Sequence, residues 1–317
     1  MTSPLVQARH NLRGREDIYV IAGATAVFAW SIGPLVTRAL SVSLPALIFW
    51  RMLVAIPLMT GIAYATGGGL DKAILKRAAL PSIFFATSMI VGFGAVRETS
   101  IANATVITTI QPVIVMFIAP KLFGERLHAR QIGLSVITFV GVLMVVLAAA
   151  DTSGATFFGD ILALMNTLLW TTYFLMSKRQ RNDNVHSWSF LAAVFLWSSV
   201  ISIPWALWAA DDIGGMKSID WVWIVGMALL PGVVGHGLMT WASKSLDVSL
   251  ASLLGLMSPV ISSIGAWFVY DQALGITQLV GGVLVLGSLA LIVRLNRATA
   301  RVETAALLSP PPDPLVS

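Results

Sequence analysis

Apolar side chains fill this chain in long runs, broken at nearly regular intervals by short polar or Gly/Pro stretches. Runs such as 132–150 and 279–293 are nearly free of polar side chains. At a 1.5 Å rise per residue, each crosses most of a hydrocarbon layer about 30 Å thick. Reading the runs against their punctuation predicts ten spans, near 18–38, 44–66, 78–96, 101–119, 130–150, 158–177, 186–209, 221–243, 249–270 and 277–293. The expected fold class is all-α, an integral membrane protein in two five-helix halves, 18–150 and 158–293. A tail at 1–17 precedes them, and the tail 298–317, with Pro310, Pro311 and Pro312, has little to bury and is expected to be disordered.

Composition agrees with lipid as the main solvent. Of 317 residues 57% are hydrophobic and 11% charged, and the mean hydropathy is +0.84, against about 45–50% apolar and about 25% charged in soluble domains. The net charge of +5 is scattered singly through short loops instead of forming a basic patch, so no nucleic-acid partner is expected. The absence of cysteine excludes disulfides and thiolate metal sites. Arg9, Arg13, Arg15, Glu16 and Asp17 precede an apolar run without a clear cleavage site, which reads as a retained first helix.

Cationic loops are held in the cytoplasm. With the N-terminus inside, sixteen of the 20 Lys and Arg fall on the cytoplasmic side; Arg38, Arg97 and Lys217 fall outside, and Arg51 lies within a span. Both termini are therefore assigned to the cytoplasm.

A shift of 147 residues superposes Trp50 on Trp197, Pro57 on Pro204, Arg97 on Lys244, Ala104 on Ala251, Pro112-Val113-Ile114 on Pro259-Val260-Ile261, and Gln131 on Gln278. The first helices align at a shift of 140, pairing Trp30 with Trp170 and Arg38 with Lys178. Because each copy has an odd number of spans, the second enters the membrane from the opposite side. Inverted repeats suit secondary transport, since two oppositely oriented copies can exchange conformations around a midplane site.

With these marks the chain resembles the EamA-type proteins of the drug/metabolite transporter superfamily. The residues are Ala95-Val96-Arg97 to Ser100-Ile101-Ala102, Gln111-Pro112-Val113-Ile114, and Gly124-Glu125-Arg126-Leu127 with Gln131 and Gly133. Ala242 to Ala251, Ser258-Pro259-Val260, and Leu274 with Gln278 and Gly281 answer them in the second half. One departure is Asp271-Gln272 where the family usually places Gly-Glu: a carboxylate is kept one position early, at a membrane edge where no effect on substrate choice is expected. The resemblance implies a ten-helix fold, a bacterial inner-membrane location, and export of amino acids, other metabolites or drugs.

Polar groups inside the hydrocarbon layer are costly and invite functional readings. Arg51, about seven residues into the second span, reads equally as a cavity cation for a substrate carboxylate or as a structural anchor. His236, between Gly235 and Gly237, could carry a proton if transport is proton-coupled, or make an interhelical hydrogen bond. Asn166, Trp170 and Tyr173 recur at spacings of four and three and share one helix face. Trp30 is the repeat partner of Trp170, and Asn103 belongs to an unusually polar fourth span. Trp30, Arg51, Asn103, Asn166, Trp170, Tyr173 and His236 form the expected substrate-binding set. Trp188, Trp205, Trp208, Trp221 and Trp223, near span ends, read as interfacial belt residues. Pro112 and Pro259, both mid-span, should kink or loosen their helices and serve as a paired hinge or gate.

No metal-ligand cluster, nucleotide loop or catalytic constellation stands out, so no enzyme activity, ATP use, metal or cofactor is expected. The expected function is secondary export of small amphipathic metabolites by alternating access: amino acids, aromatic ones among them, or related compounds and drugs. The partners are the small-molecule substrate and the lipid bilayer, with protons as the candidate coupling ion. The alternatives are a non-transporting scaffold or sensor and, less favoured, a membrane enzyme acting on lipid-linked substrates.

Overall fold

The computed structural model describes residues 4–33, 35–36, 40–99, 104, 107–148, 156–210, 213–271 and 274–307. Among them the chain is all-helical. We number ten helices in chain order: α1 (Pro4–Ser31), α2 (Leu44–Ala65), α3 (Lys72–Glu98), α4 (Gln111–Phe123) and α5 (Ala129–Ala148) in the first half. The second half holds α6 (Phe157–Asn182), α7 (Ser187–Ala209), α8 (Ser218–Ala242), α9 (Val248–Tyr270) and α10 (Ile276–Leu307). Seven are long and apolar enough to cross a membrane, and Asp17–Ser31 and Gln111–Phe123 are shorter apolar helices.

Local sequence sets the helix starts. Orphan N–H groups of a first turn need an acceptor: Ala46 N donates to Ser43 Oγ, Ile74 N to Asp71 Oδ1 and Gly159 N to Thr156 Oγ1. Beyond its apolar part α10 continues to Leu307, past the position where the sequence reading starts a disordered tail at 298. The segment is rich in Ala and Arg, both strong helix formers, so the helix needs no tertiary packing to run on.

The packing respects an inverted two-fold relation. α6 packs on α3 as α1 packs on α8; α3 packs on α7 as α8 packs on α2; and α2–α7, α4–α9 and α5–α10 are each pairs of equivalent helices. Two apolar cores result, both drawing on both halves: one around Val142, Val145, Leu253 and Val285, the other around Met52, Phe85, Phe190 and Phe195. Large apolar side chains also face outward, among them Phe117, Trp208, Phe268 and Val283. That inside-out surface is stable against lipid tails.

Helices α5 and α10 touch backbone to backbone. A Cβ added at Gly281 would lie 2.6 Å from the Gly141 carbonyl oxygen, and one at Gly141 would lie 2.8 Å from that of Gly281. Thr138 and Ser288 share a 2.7 Å hydroxyl bond across the same crossing. Small residues permit such approach in lipid, where close packing drives helix association. Gly281→Leu is expected to force the helices apart and lower stability by about 1–3 kcal/mol. A thermal midpoint in detergent that stays at the wild-type value would refute this.

In place of a kink at each mid-span proline, the helix is interrupted just before it. Helix α4 starts at Gln111 after a turn at Thr109-Ile110, so Pro112 sits in its first turn. In α9 a 3₁₀ turn, Gly255–Met257, separates Val248–Leu254 from Ser258–Tyr270, and Pro259 again lies in a first turn. Proline lacks an N–H and is tolerated there, where that donor would be unpaired anyway. Both helices are discontinuous at equivalent positions.

Candidate functional site

Helix α8 changes form midway: nine residues, Ala228–His236, wind as a π-helix between α-helical ends. Pro231 cannot donate to the ladder, and the glycines on either side relax the steric demand for α geometry. The Pro231 carbonyl accepts from a donor outside the helix, Trp30 Nε1, at 3.2 Å. Trp30 comes this close because residue 235 is glycine: a Cβ there would meet its ring at 2.6 Å. Gly237 similarly admits the Trp188 ring at 2.2 Å from such a Cβ, so Trp188 packs inward as well as marking a span end.

His236 closes the π segment and is ringed by aromatics. Ring centroids stand at 5.2 Å (Trp30), 5.1 Å (Phe85), 5.7 Å (Trp170) and 5.7 Å (Phe195). Trp30 meets Trp170 edge-on at 5.8 Å, and Tyr173 stands 5.4 Å from Trp170 and 4.8 Å from Phe85. Five helices, two from the first half and three from the second, build this cage. Edge-to-face contacts in this range each add about 0.5–1.5 kcal/mol. The two pseudo-symmetric tryptophans therefore meet at the junction of the halves.

Below the cage lies a cavity lined by Trp30, Trp170, Tyr173, Phe174, Ser177, His236, Met239, Thr240 and Ser243. Its wall is aromatic at one end and hydroxylated at the other. The space is about 10 Å³, room for one water, whereas ligand pockets need about 300–1,000 Å³. No ligand-sized space is therefore open at this cavity.

Both ends of the bundle are tied. At the cavity's hydroxylated end, Lys178 Nζ donates to the carbonyls of Ser243 at 2.8 Å and Leu246 at 2.6 Å, at the foot of α8. Glu125, in the α4–α5 loop of the other half, accepts from Val248 N at 2.5 Å, Ser249 N at 3.2 Å and Ser249 Oγ at 2.6 Å. A cation on terminal carbonyls and a carboxylate on free N–H groups are the favoured partners of helix ends. Together they clamp the α8–α9 connection. At the opposite end, Ser41 Oγ donates to Asp220 at 3.0 Å, Trp50 Nε1 to Ile213 O at 2.9 Å, Tyr270 OH to Leu35 O at 2.6 Å, and Thr99 Oγ1 to Asp160 at 2.6 Å.

Asp271 does not reproduce Glu125. It occupies the left-handed C-cap of α9, φ 51°, the place that Gly124 holds in α4 at φ 69°. The residue at Glu125's repeat position is Gln272, which lies outside the described residues.

Of the expected binding residues, Trp30, Trp170, Tyr173 and His236 converge on one cavity. Arg51 does not line it. The residue is buried, 4% exposed, instead of reaching the membrane surface. Asn166 shares the Trp170 face but sits one turn away, under α3: a Cβ at Gly92 would meet its amide at 2.8 Å. Asn103 lies outside the described residues. Phe85, Phe195, Ser177, Thr240 and Ser243 are site residues that sequence reasoning missed. The phenylalanines sit in apolar runs with nothing to distinguish them, and the hydroxyls lie at span ends, where polarity is ordinary.

The EamA-like transporter family matches residues 17–147 and 157–294, one match in each half. An uncharacterized transporter of Archaeoglobus fulgidus is 25% identical over 84% of this chain and 90% of its own length. A probable amino-acid metabolite efflux pump of Escherichia coli is 22% identical over 59% of this chain and 65% of its own. A solved crystal structure has the same fold, with a TM-score of 0.75 and 18% identity over 88% of this chain and 98% of that one.

Proposed function

Since the chain belongs to the EamA-like transporter family, we propose that it exports small amphipathic metabolites, amino acids with aromatic side chains first among them, by alternating access. The observation that carries this is the cage of Trp30, Trp170, Tyr173 and His236 at the junction of the halves, opening onto Ser177, Thr240 and Ser243. A flat apolar group has rings to stack on, and a polar end has hydroxyls to meet. The E. coli relative named as an amino-acid metabolite efflux pump supports the same substrate class.

In this reading the Lys178 face is cytoplasmic, because the cation-rich loops lie there, and both termini share it in the inner membrane. The broken helices α4 and α9 act as gates at Pro112 and Pro259, and His236 is the candidate carrier of a coupling proton. Everted vesicles should accumulate labelled phenylalanine or tryptophan only when the protein is present. Collapse of the proton gradient should slow this severalfold if coupling is to protons. Equal accumulation with and without the protein, for every amino acid and lipophilic cation tried, would remove the proposal.

A further inference from the structure

One buried charge has no explanation within the fold. Arg51, on α2, is 4% exposed, yet its guanidinium makes no hydrogen bond or ion pair among the described residues, and its Nε is fully enclosed without an acceptor. A cation in the hydrocarbon layer is tolerated when it is paired or bonded to carbonyls. Arg181 shows how this chain treats a structural arginine. It is equally buried and its Nε and NH2 also lack acceptors, but its NH1 donates to Val185 O and Ser187 Oγ, and its guanidinium lies 5.3 Å from the Phe190 ring.

Among the described residues the surroundings of Arg51 offer no counter-charge. Its neighbours on α2, Ile48, Met52 and Ala55, belong to the apolar core that also holds Phe85 and Phe195. Tyr173, which lines the cavity, belongs to the same core. Asp220, a buried carboxylate in the same part of the bundle, is engaged by Ser41 and the Lys217 amide.

We infer that the transported molecule carries a carboxylate, and that Arg51 is the cation that receives it when the cage opens. This rests on the transport reading and narrows it to anionic or zwitterionic substrates. A lone guanidinium presents paired donors that match one carboxylate, and it would hold that group next to the rings that receive the apolar part. Among the described residues the charge is unpaired, so the substrate's entry supplies a bond that is not present here.

The test uses full-length protein in nanodiscs and vesicles with phenylalanine, phenylacetate and phenylalaninamide. Tryptophan fluorescence reports binding, because Trp30 and Trp170 line the cavity. Arg51→Gln should weaken phenylalanine and phenylacetate binding tenfold or more while changing phenylalaninamide less than twofold, and Arg51→Lys should fall between. Arg51→Met should leave the melting midpoint of the ligand-free protein unchanged or raised, since it removes an unpaired charge, and should abolish the rise that phenylalanine produces. Equal weakening of all three compounds, or a lowered ligand-free midpoint with unchanged discrimination, would make Arg51 a structural anchor and overturn the inference. Wild-type protein that moves phenylalaninamide as fast as phenylalanine would overturn it while leaving transport intact. Movement of no compound removes the transport reading together with the anion site.

Discussion

Replacing Glu125 by alanine should unlock the Lys178 end of the protein and raise the labelling rate of a cysteine placed at Thr240 about ten- to a hundredfold. Glu125 accepts three hydrogen bonds from the start of α9. Bonds to a charged group contribute about 1.5–3 kcal/mol each in net terms. Water can take over part of that in an opened form, so a shift of about 2–3 kcal/mol is the reasonable scale, and every 1.4 kcal/mol is a factor of ten. Thr240 lines the cavity just inside the clamp. The experiment is clean because the chain has no cysteine of its own. Glu125→Gln, which keeps the shape and loses the charge, should give a smaller increase. A second cysteine at Ala55, fully buried in α2, should stay unreactive; if both positions label faster, the fold has loosened. No change at Thr240 would mean that the clamp does not govern access.

The second large effect is expected at Trp170. Its ring touches those of Trp30, Phe85, Tyr173 and His236, so Trp170→Ala removes the wall that both halves share. Loss of a large aromatic from a packed site costs about 3–5 kcal/mol of stability. The same substitution should cut export of an aromatic substrate at least thirtyfold. Trp170→Phe keeps a ring in place and should recover most of the stability and part of the flux. Export within twofold of wild type in Trp170→Ala, measured in vesicles with equal protein content, would remove the cage from the transport path.

Much of this architecture is legible before any coordinates. Helix number, the inverted halves and the equivalence of Trp30 with Trp170 follow from hydropathy and one internal register, because lipid imposes a simple rule on every span and duplication copies rare residues. The discontinuities beside Pro112 and Pro259 are legible for the same reason. Asn166 misleads because helical spacing gives a shared face and says nothing of which neighbour covers each turn; Gly92 lets α3 close over it. Phe85 and Phe195 are invisible because a phenylalanine facing the cavity and one facing lipid look alike in sequence. The π segment has a partial mark in Pro231, Gly232 and Gly235, but the bond from Trp30 to the Pro231 carbonyl is a tertiary fact.

Two identical halves related by inversion would have no preferred side: the form open to one face and the form open to the other would have the same energy. Each position where the copies differ breaks that tie. Here an aspartate takes the left-handed cap that glycine fills in the other half, at a backbone conformation that L-residues adopt with some strain. The clamp carboxylate Glu125 is thereby left without a twin at the other end. An empty carrier built this way has a home position. Gradients would still decide which way net flow runs; in a carrier working by alternating access, such a mismatch would set the side of the membrane on which the unloaded protein waits.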